Sequence, residues 1–343
     1  MKPASVIFLI VSVVLVLCGF ILCRVASSRA EKENVSLYTN SAVDTEEGEV
    51  RTYLIDDSTA DKLMLDIKDV PVAIHKSPDH SSYLELLNFS VGAFDKTETN
   101  NVLTFSNNSR LLSLFSDLKA GNFNFKGLRD LLAMADTSDG EQRVDLYLAE
   151  DSDIRNLNVL LDGADLTVED VTNTCDYHIT VTGGNIAFRG VSTSSLIEVE
   201  QESGTCTLQN TSASIAIVKL KQGDLQGNAF CVGTLTADIS GGSAVLSLAR
   251  SHEDCWLDLY AEGGQILVDG NEMPSPYSEI PEEYEQYLAL FENEETEETG
   301  EESKEEEIPE ELADFKPLEI LSVRATGGGV AVSFETEKEQ SGS

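Results

Sequence analysis

The strongest constraint on this chain is a repeat of about 20 residues between Asn158 and Met273. One slot recurs at Ala164, Gly184, Gly204, Gly223, Gly242 and Gly264, with spacings of 20, 20, 19, 19 and 22 residues. Positions −5, −3, +2 and +4 around each slot form two flanking pairs. Around Ala164 they are Val159, Leu161, Leu166 and Val168; around Gly184, Ile179, Val181, Ile186 and Phe188. Around Gly204 they are Val199, Gln201, Cys206 and Leu208; around Gly223, Val218, Leu220, Leu225 and Gly227. Around Gly242 they are Ala237, Ile239, Ala244 and Leu246; around Gly264, Leu259, Ala261, Ile266 and Val268. Only Gln201 and Gly227 break the apolar rule.

Alternation in steps of two puts each pair on one face of a strand. Glycine between the pairs permits a backbone bend that a side chain would resist. The repeat therefore predicts a coil of strand, bend, strand and return. One coil cannot bury its apolar face alone, whereas coils stacked at about 4.8 Å bury a continuous ladder. The expected fold is all-β, a single-stranded β-solenoid (β-helix) of roughly 20-residue coils over residues 51–273. A β-sandwich competes, but its hairpins do not require a near-constant period.

Upstream, short apolar stretches at 63–67, 70–74, 83–89 and 102–105 read as strands between turn signals. Residues 125–135 carry helical spacing at Leu128, Leu131, Leu132 and Ala135 and predict one short helix. Residues 143–148 alternate as a strand with Val144, Leu146 and Leu148 on one face. Residues 25–50 are polar and read as a stalk.

Residues 4–23 form an apolar run flanked by Lys2 and Arg24. About 20 apolar residues suffice to cross a ~30 Å hydrocarbon layer, so residues 1–24 are expected to be a transmembrane signal anchor. A cleaved signal peptide ending near Ser28-Arg29-Ala30 is the alternative. Cys18 and Cys23 follow leucines rather than small residues and read as buried thiols, not lipidation sites. Arg24, Arg29 and Lys32 outnumber Lys2, which by the positive-inside rule favours a cytoplasmic C-terminal side.

Beyond Met273, Pro274, Pro276 and Pro281 end the stack. Residues 282–291 suit a short acidic helix. Sixteen glutamates lie between Glu279 and Glu311, against one lysine, Lys304. The segment 274–312 therefore reads as an acidic low-complexity linker, its stretch 292–311 too charged to bury a core and expected to be disordered. Two apolar runs around Gly327-Gly328-Gly329 predict a C-terminal β-hairpin and tail at 313–343, folded back to cover an exposed edge of the solenoid. The formal net charge is −38. Such a chain repels nucleic-acid phosphates and anionic lipid heads, which excludes nucleic acid as a partner.

The runs 144–149 (VDLYLA), 157–168 (LNVLLDGADLTV) and 257–270 (LDLYAEGGQILVDG) resemble the bacterial "putative adhesin" family of unknown function. The resemblance covers roughly residues 50–272. It implies a glycine-punctuated β-solenoid held outside the cell membrane by one N-terminal segment, against the charge count above. It brings no catalytic residues, metal ligands or cofactor. The acidic segment and C-terminal runs depart from the family's core pattern.

No motif specifies a reaction. His75, His80, His178 and His252 share no zinc spacing, and His252-Glu253-Asp254-Cys255 reads as a solvated turn. Residues 136–141 place their glycine wrongly for a calcium loop. An enzymatic β-helix would need outward carboxylates clustered across adjacent coils. The candidates Asp165, Glu169, Asp170, Glu198, Glu200, Asp224, Asp238 and Asp258 are scattered in sequence. Cys206 occupies a core position. Cys175 and Cys255 are four coils apart, too far for a disulfide. Cys231 and Cys255, one coil apart, either pair or remain free. The sequence thus points to a non-enzymatic, membrane-anchored, extracytoplasmic surface protein for adhesin-like binding or envelope scaffolding, with envelope proteins or cell-wall polymers as partners. The alternatives are a regulatory partner in an envelope-stress membrane complex and a carbohydrate-active β-helix enzyme.

Overall fold

The structure, a computed structural model, describes residues 50–56, 60–89, 94–107, 141–281 and 319–334. The apolar run at 4–23, the stalk, the helix expected at 125–135 and the acidic segment beyond residue 281 lie outside the described residues. Among the described residues no helix is long and apolar enough to cross a membrane.

The repeat folds as a parallel β-solenoid. Asn156–Asp162 and Leu166–Glu169 form one coil, and Asp176–Val181 with Ile186–Arg189 stack on it in parallel register, Val159 against Ile179 and Leu166 against Ile186. Leu196–Gln201 and Cys206–Gln209 follow, then Ser212–Leu220 running into Leu225–Ser240, then Ala244–Leu248. The expected inward positions are the core: Val159, Ile179, Val199, Val218 and Ile239 are all essentially inaccessible. At about 1.5–3 kcal/mol for each large apolar side chain removed from water, this ladder is the main stabilising term.

Each coil has a third side that the repeat did not reveal. Six residues past the slot, Asp170, Gly190, Asn210 and Ala229 turn the chain with φ of 54°, 64°, 48° and 47°. Asp, Asn and Gly tolerate this left-handed region best. The next residues, Val171, Val191, Thr211 and Phe230, point inward and close the core. Short parallel strands, Thr172–Asn173 against Ser192–Thr193, build this third wall.

The two exceptions to the apolar rule are accommodated locally. A Cβ at Gly227 would lie 2.5 Å from the Phe230 ring, so its smallness makes room for a buried aromatic. Gln201 is buried, and its Nε2 donates to the carbonyl oxygens of Gly184 (2.6 Å) and Ser203 (3.2 Å) at the bend.

Both ends of the stack are built out of chain order. Lys62–Lys68 and Val72–Lys76 form a coil beneath Asn156–Glu169, with Leu65 against Val159 and Val72 against Leu166. Beneath that lies a coil split by a long insertion: Val102–Ser106 pairs with the first strand and Arg143–Leu148 with the second. At the other end, Glu319–Phe334 is not the expected hairpin. It is one bent strand, parallel to Thr234–Leu248 on one side and to Cys255–Val268 on the other. The apolar runs flanking the glycines therefore do not pair with each other. They obey the coil rule instead: around Gly328 the inward residues are Val323, Ala325, Val330 and Val332, all buried.

Antiparallel strands close both ends. Tyr83–Leu87 lies on Arg143–Leu148 and Val50–Leu54 on Tyr83–Leu87, while Asp95–Thr99 covers Val102–Ser106. Asn271–Met273 and Tyr277–Glu279 cover Cys255–Val268. Covered edges remove the row of unpaired backbone groups that would template aggregation.

The slot glycines stack in a column. A Cβ at Gly184 would lie 2.1 Å from the Ala164 oxygen, at Gly204 2.0 Å from Gly184, at Gly223 1.8 Å from Gly204 and at Gly242 1.7 Å from Gly223. The column continues through Gly328, 2.1 Å from the Gly242 oxygen, to Gly264. Glycine is required here because the neighbouring coil's backbone occupies the place of a side chain. Gly223→Ala is expected to destabilise the fold by about 1–3 kcal/mol or more. Gly183→Ala, whose Cβ would meet only Ser203 Oγ at 3.8 Å, should be near neutral. Urea unfolding of both variants checks this contrast.

Candidate binding surface

The outer face is a set of polar ladders running along the stack. Register places Glu200, Lys219, Asp238 and Arg324 in one column. Lys219 Nζ lies 2.8 Å from Glu200 and 3.8 Å from Glu198. Lys221 pairs with Glu202, Lys68 with Asp162, and Arg189 with Glu169. His178 Nδ1 is 2.9 Å from Glu198 Oε2. The hydrogen bond from Lys219, helped by its charge, holds the Glu200 carboxyl below the usual carboxylate range. The lysine and arginine pairs are solvent-exposed and screened, so they add little to stability.

A second ladder runs beside the bend. Asn185 N donates to Asp165 Oδ1 (2.7 Å), Thr205 N to Asn185 Oδ1 (3.1 Å), and Ser243 N to Asp224 Oδ1 (2.9 Å). Gly329 N then donates to Ser243 Oγ (3.3 Å), carrying the ladder into the C-terminal coil. Of the eight carboxylates that an enzymatic reading singled out, Asp165 and Asp224 thus cap a neighbouring bend. Glu169 and Glu200 bond cations one coil away, Glu198 lies against the His178 imidazole, and Asp170 forms a corner. Asp238 and Asp258 face outward on different coils, opposite Arg324 and Ser322. Among the described residues no group of three or more His, Cys, Asp and Glu side chains could hold a metal ion.

Sequence reading missed one aromatic and acidic cluster at the N-terminal end. The Tyr83 and Tyr147 rings stack at 4.6 Å, and His75 lies against Tyr147 at 5.2 Å. Beside them the Asp145 carboxylate is buried, its Oδ2 bonded by Arg143 Nε (2.8 Å) and Nη2 (2.7 Å). Asp145 Oδ1 makes no hydrogen bond and faces His75 Nε2 at 3.7 Å. Burial raises the Tyr83 and Tyr147 hydroxyl pKa values. No local motif announces this site, because out-of-order stacking brings residues 75, 83 and 147 together.

The four residues His252–Cys255 do not converge on one another. His252–Asp254 is a 3₁₀ turn, and Cys255 is buried at the start of the next strand. The His252 ring stacks on Phe334 at 4.4 Å, with Nε2 3.1 Å from Glu279 and Nδ1 3.5 Å from Asp269.

All four described cysteines are free. The coil beginning at Glu319 lies between the coil that carries Cys231 and the one that carries Cys255, so the two are not one coil apart, as the sequence implied. Two spacings of about 4.8 Å exceed the ~7 Å limit for a disulfide. Burial pushes the Cys175, Cys206 and Cys255 thiols up to about 12, whereas Cys231 is partly accessible. Arg250 bonds both Cys231 Sγ (Nη2 at 3.1 Å) and Glu319 Oε1 (Nε at 2.8 Å).

Stack, bends and capped ends define a parallel β-solenoid protein. The Toastrack DUF4097 family model matches residues 60–280, and the chain belongs to that family. No curated protein is significantly similar to it. Solved structures with some likeness include a "putative cell adhesion protein" from Clostridium sporogenes, 10% identical with a TM-score of 0.35, covering 83% of this chain and 99% of that one. A "putative adhesin" from Bacteroides fragilis is 11% identical with a TM-score of 0.36, covering 83% and 96%. A "putative lipid binding protein" from Parabacteroides distasonis is 10% identical with a TM-score of 0.36, covering 83% and 97%. Likeness at this level says nothing of what the present chain binds.

Two outcomes follow from this chemistry. Ellman's reagent should react readily with one thiol of the described domain in the native state, Cys231, and with all six cysteines of the unfolded full chain. Fewer than six on unfolding would reveal a disulfide. Burial, only partly offset by Arg250, holds the Glu319 carboxyl above the usual range. An acid whose pKa is raised by folding costs stability when ionised, and the cost vanishes as pH falls below its unfolded value of about 4.3. Glu319→Gln should therefore raise the melting temperature at pH 7 and leave it unchanged near pH 3.5; calorimetry at both pH values checks it.

Proposed function

We propose that this chain is a non-enzymatic surface protein, anchored in the cell membrane by residues 4–23, whose extracytoplasmic solenoid serves adhesin-like binding or envelope scaffolding. The observation that carries the non-enzymatic reading is the use made of polar side chains. Asp165, Asp224, Glu169, Glu198 and Glu200, the natural candidates for acid–base work, spend oxygens on a neighbouring coil's backbone, cations or imidazole. What is left to act is a stiff, ladder-built outer surface. Its partners are envelope proteins or cell-wall polymers rather than nucleic acid, which a net charge of −38 repels.

The membrane anchor rests on the length and apolarity of residues 4–23, and the external orientation on the family resemblance. Protease added to intact cells should cleave the chain between the anchor and Val50 and release a solenoid fragment. Protection until the cells are permeabilised would reverse the orientation. Purified full-length protein should be retained by cell-wall material or by detergent-solubilised envelope proteins; retention by neither would remove the binding role.

A further inference from the structure

The two strands of each coil build two outer walls of opposite character. On the wall before the bend, Glu200, Lys219, Asp238 and Arg324 follow one another in register. On the wall after it, the central outward column reads Ala73, Thr167, Ala187, Thr207 and Gln226, each opposite the next. The column runs on through Val245 and Ala331 to Leu267. Eight successive coils thus place no charge there, in a chain with 61 acidic and 23 basic residues. Seven strand spacings of about 4.8 Å make this stripe roughly 34 Å long.

The charged residues beside the stripe are already engaged. Asp165 and Asp224 cap neighbouring bends, and Glu169 pairs with Arg189 at 2.9 Å. Beyond Arg189 the same flank carries only the amides and hydroxyls of Gln209, Asn228, Ser247 and Ser333. Gln226 and Asn228 are exposed. Among the described residues the side chains of Thr207, Gln209, Gln226 and Asn228 bond no other protein group. An amide or a hydroxyl can both donate and accept. Val245, in the middle of the stripe's apolar end, is 57% exposed, more than the other exposed large apolar side chains, Leu54 and Ile215.

An ionic ligand gains nothing on such a face. A cation finds no carboxylate in the stripe, and the net charge of −38 repels an anionic polymer. An uncharged surface gives up its water at low cost, whereas buried charges demand partners. The stripe is straight, narrow and repetitive, which suits a ligand that is itself long and repeats in one direction. We propose that it binds an uncharged linear polysaccharide laid along the solenoid axis. Sugar hydroxyls bond the amide and hydroxyl side chains of successive coils, and sugar C–H faces rest on Val245, Ala331 and Leu267. The inference rests on the reading of this chain as a surface binding protein, and it names the face and the class of polymer. Each coil contributes a weak contact, and a polymer held at one coil is kept close to the next, so affinity grows with polymer length.

Detergent-purified full-length protein is incubated with four uncharged polymers: chitin, cellulose, cross-linked dextran and agarose. Retention by at least one is expected, and it should survive high salt, because no charges meet. Gln226 and Val245 face solvent, so Gln226→Glu and Val245→Glu leave the core intact. Each should weaken retention roughly tenfold or more by pressing a carboxylate against the polymer. Thr236→Glu, at an exposed position on the other wall, should not. Retention by none of the four polymers overturns the proposal, even where cell-wall material or envelope proteins hold the protein and the binding role stands. Retention that both glutamate variants leave intact puts the polymer elsewhere and overturns it too. A parent protein that sediments as a dimer, split by Gln226→Glu, gives the stripe to a second copy of the chain and does the same.

Discussion

The close approach of successive backbones at the bend governs this molecule. From Gly184 to Gly264 the site of each missing Cβ is already taken by the coil alongside, within 1.7–2.4 Å. Only at that separation do the flanking strands hydrogen-bond continuously from one coil to the next, and only then do inward pairs such as Ile179, Val199 and Val218 stack into one core. Relaxing the bend would cost both the backbone ladder and the apolar ladder, because both share the same spacing.

The same spacing determines what the polar residues do. A side chain on the outer face sits one strand spacing from its counterparts, within reach of a hydrogen bond or an ion pair. Asp165, Asn185 and Asp224 therefore cap the bend of the next coil, and Glu200 meets Lys219. In a stack with so regular a surface, polar chemistry concentrates where regularity fails. The Tyr83–Tyr147–His75 stack beside buried Asp145 and the His252–Glu279 contact lie at the two ends, where capping strands run against the coil direction.

The ends also carry the topology. The coil of Lys62–Lys76 is interposed before the split coil of Val102–Leu148 returns, and the coil of Glu319–Phe334 is interposed after its two neighbours have been made. Each is joined to the stack by a longer excursion than the coils in the middle. Short returns force neighbours in sequence to be neighbours in space; long ones release that constraint.

By itself the sequence determined the all-β solenoid, its period, its inward residues and the need for glycine at the bend. Each of these follows from local spacing and from the absence of room for a side chain. It also contained the rule that marks Val323, Ala325, Val330 and Val332 as a further coil. The period does not mark that coil, because Gly328 falls outside the 20-residue spacing, and two apolar runs around three glycines satisfy a hairpin pattern as well. The tertiary structure alone decided the order of the coils. Every coil offers its neighbours the same strands, the same spacing and the same bend, so pattern specifies what can stack but not where. The fate of Cys231 and Cys255 and the meeting of His75 with Tyr83 and Tyr147 depend on that order, which is why no local motif revealed them.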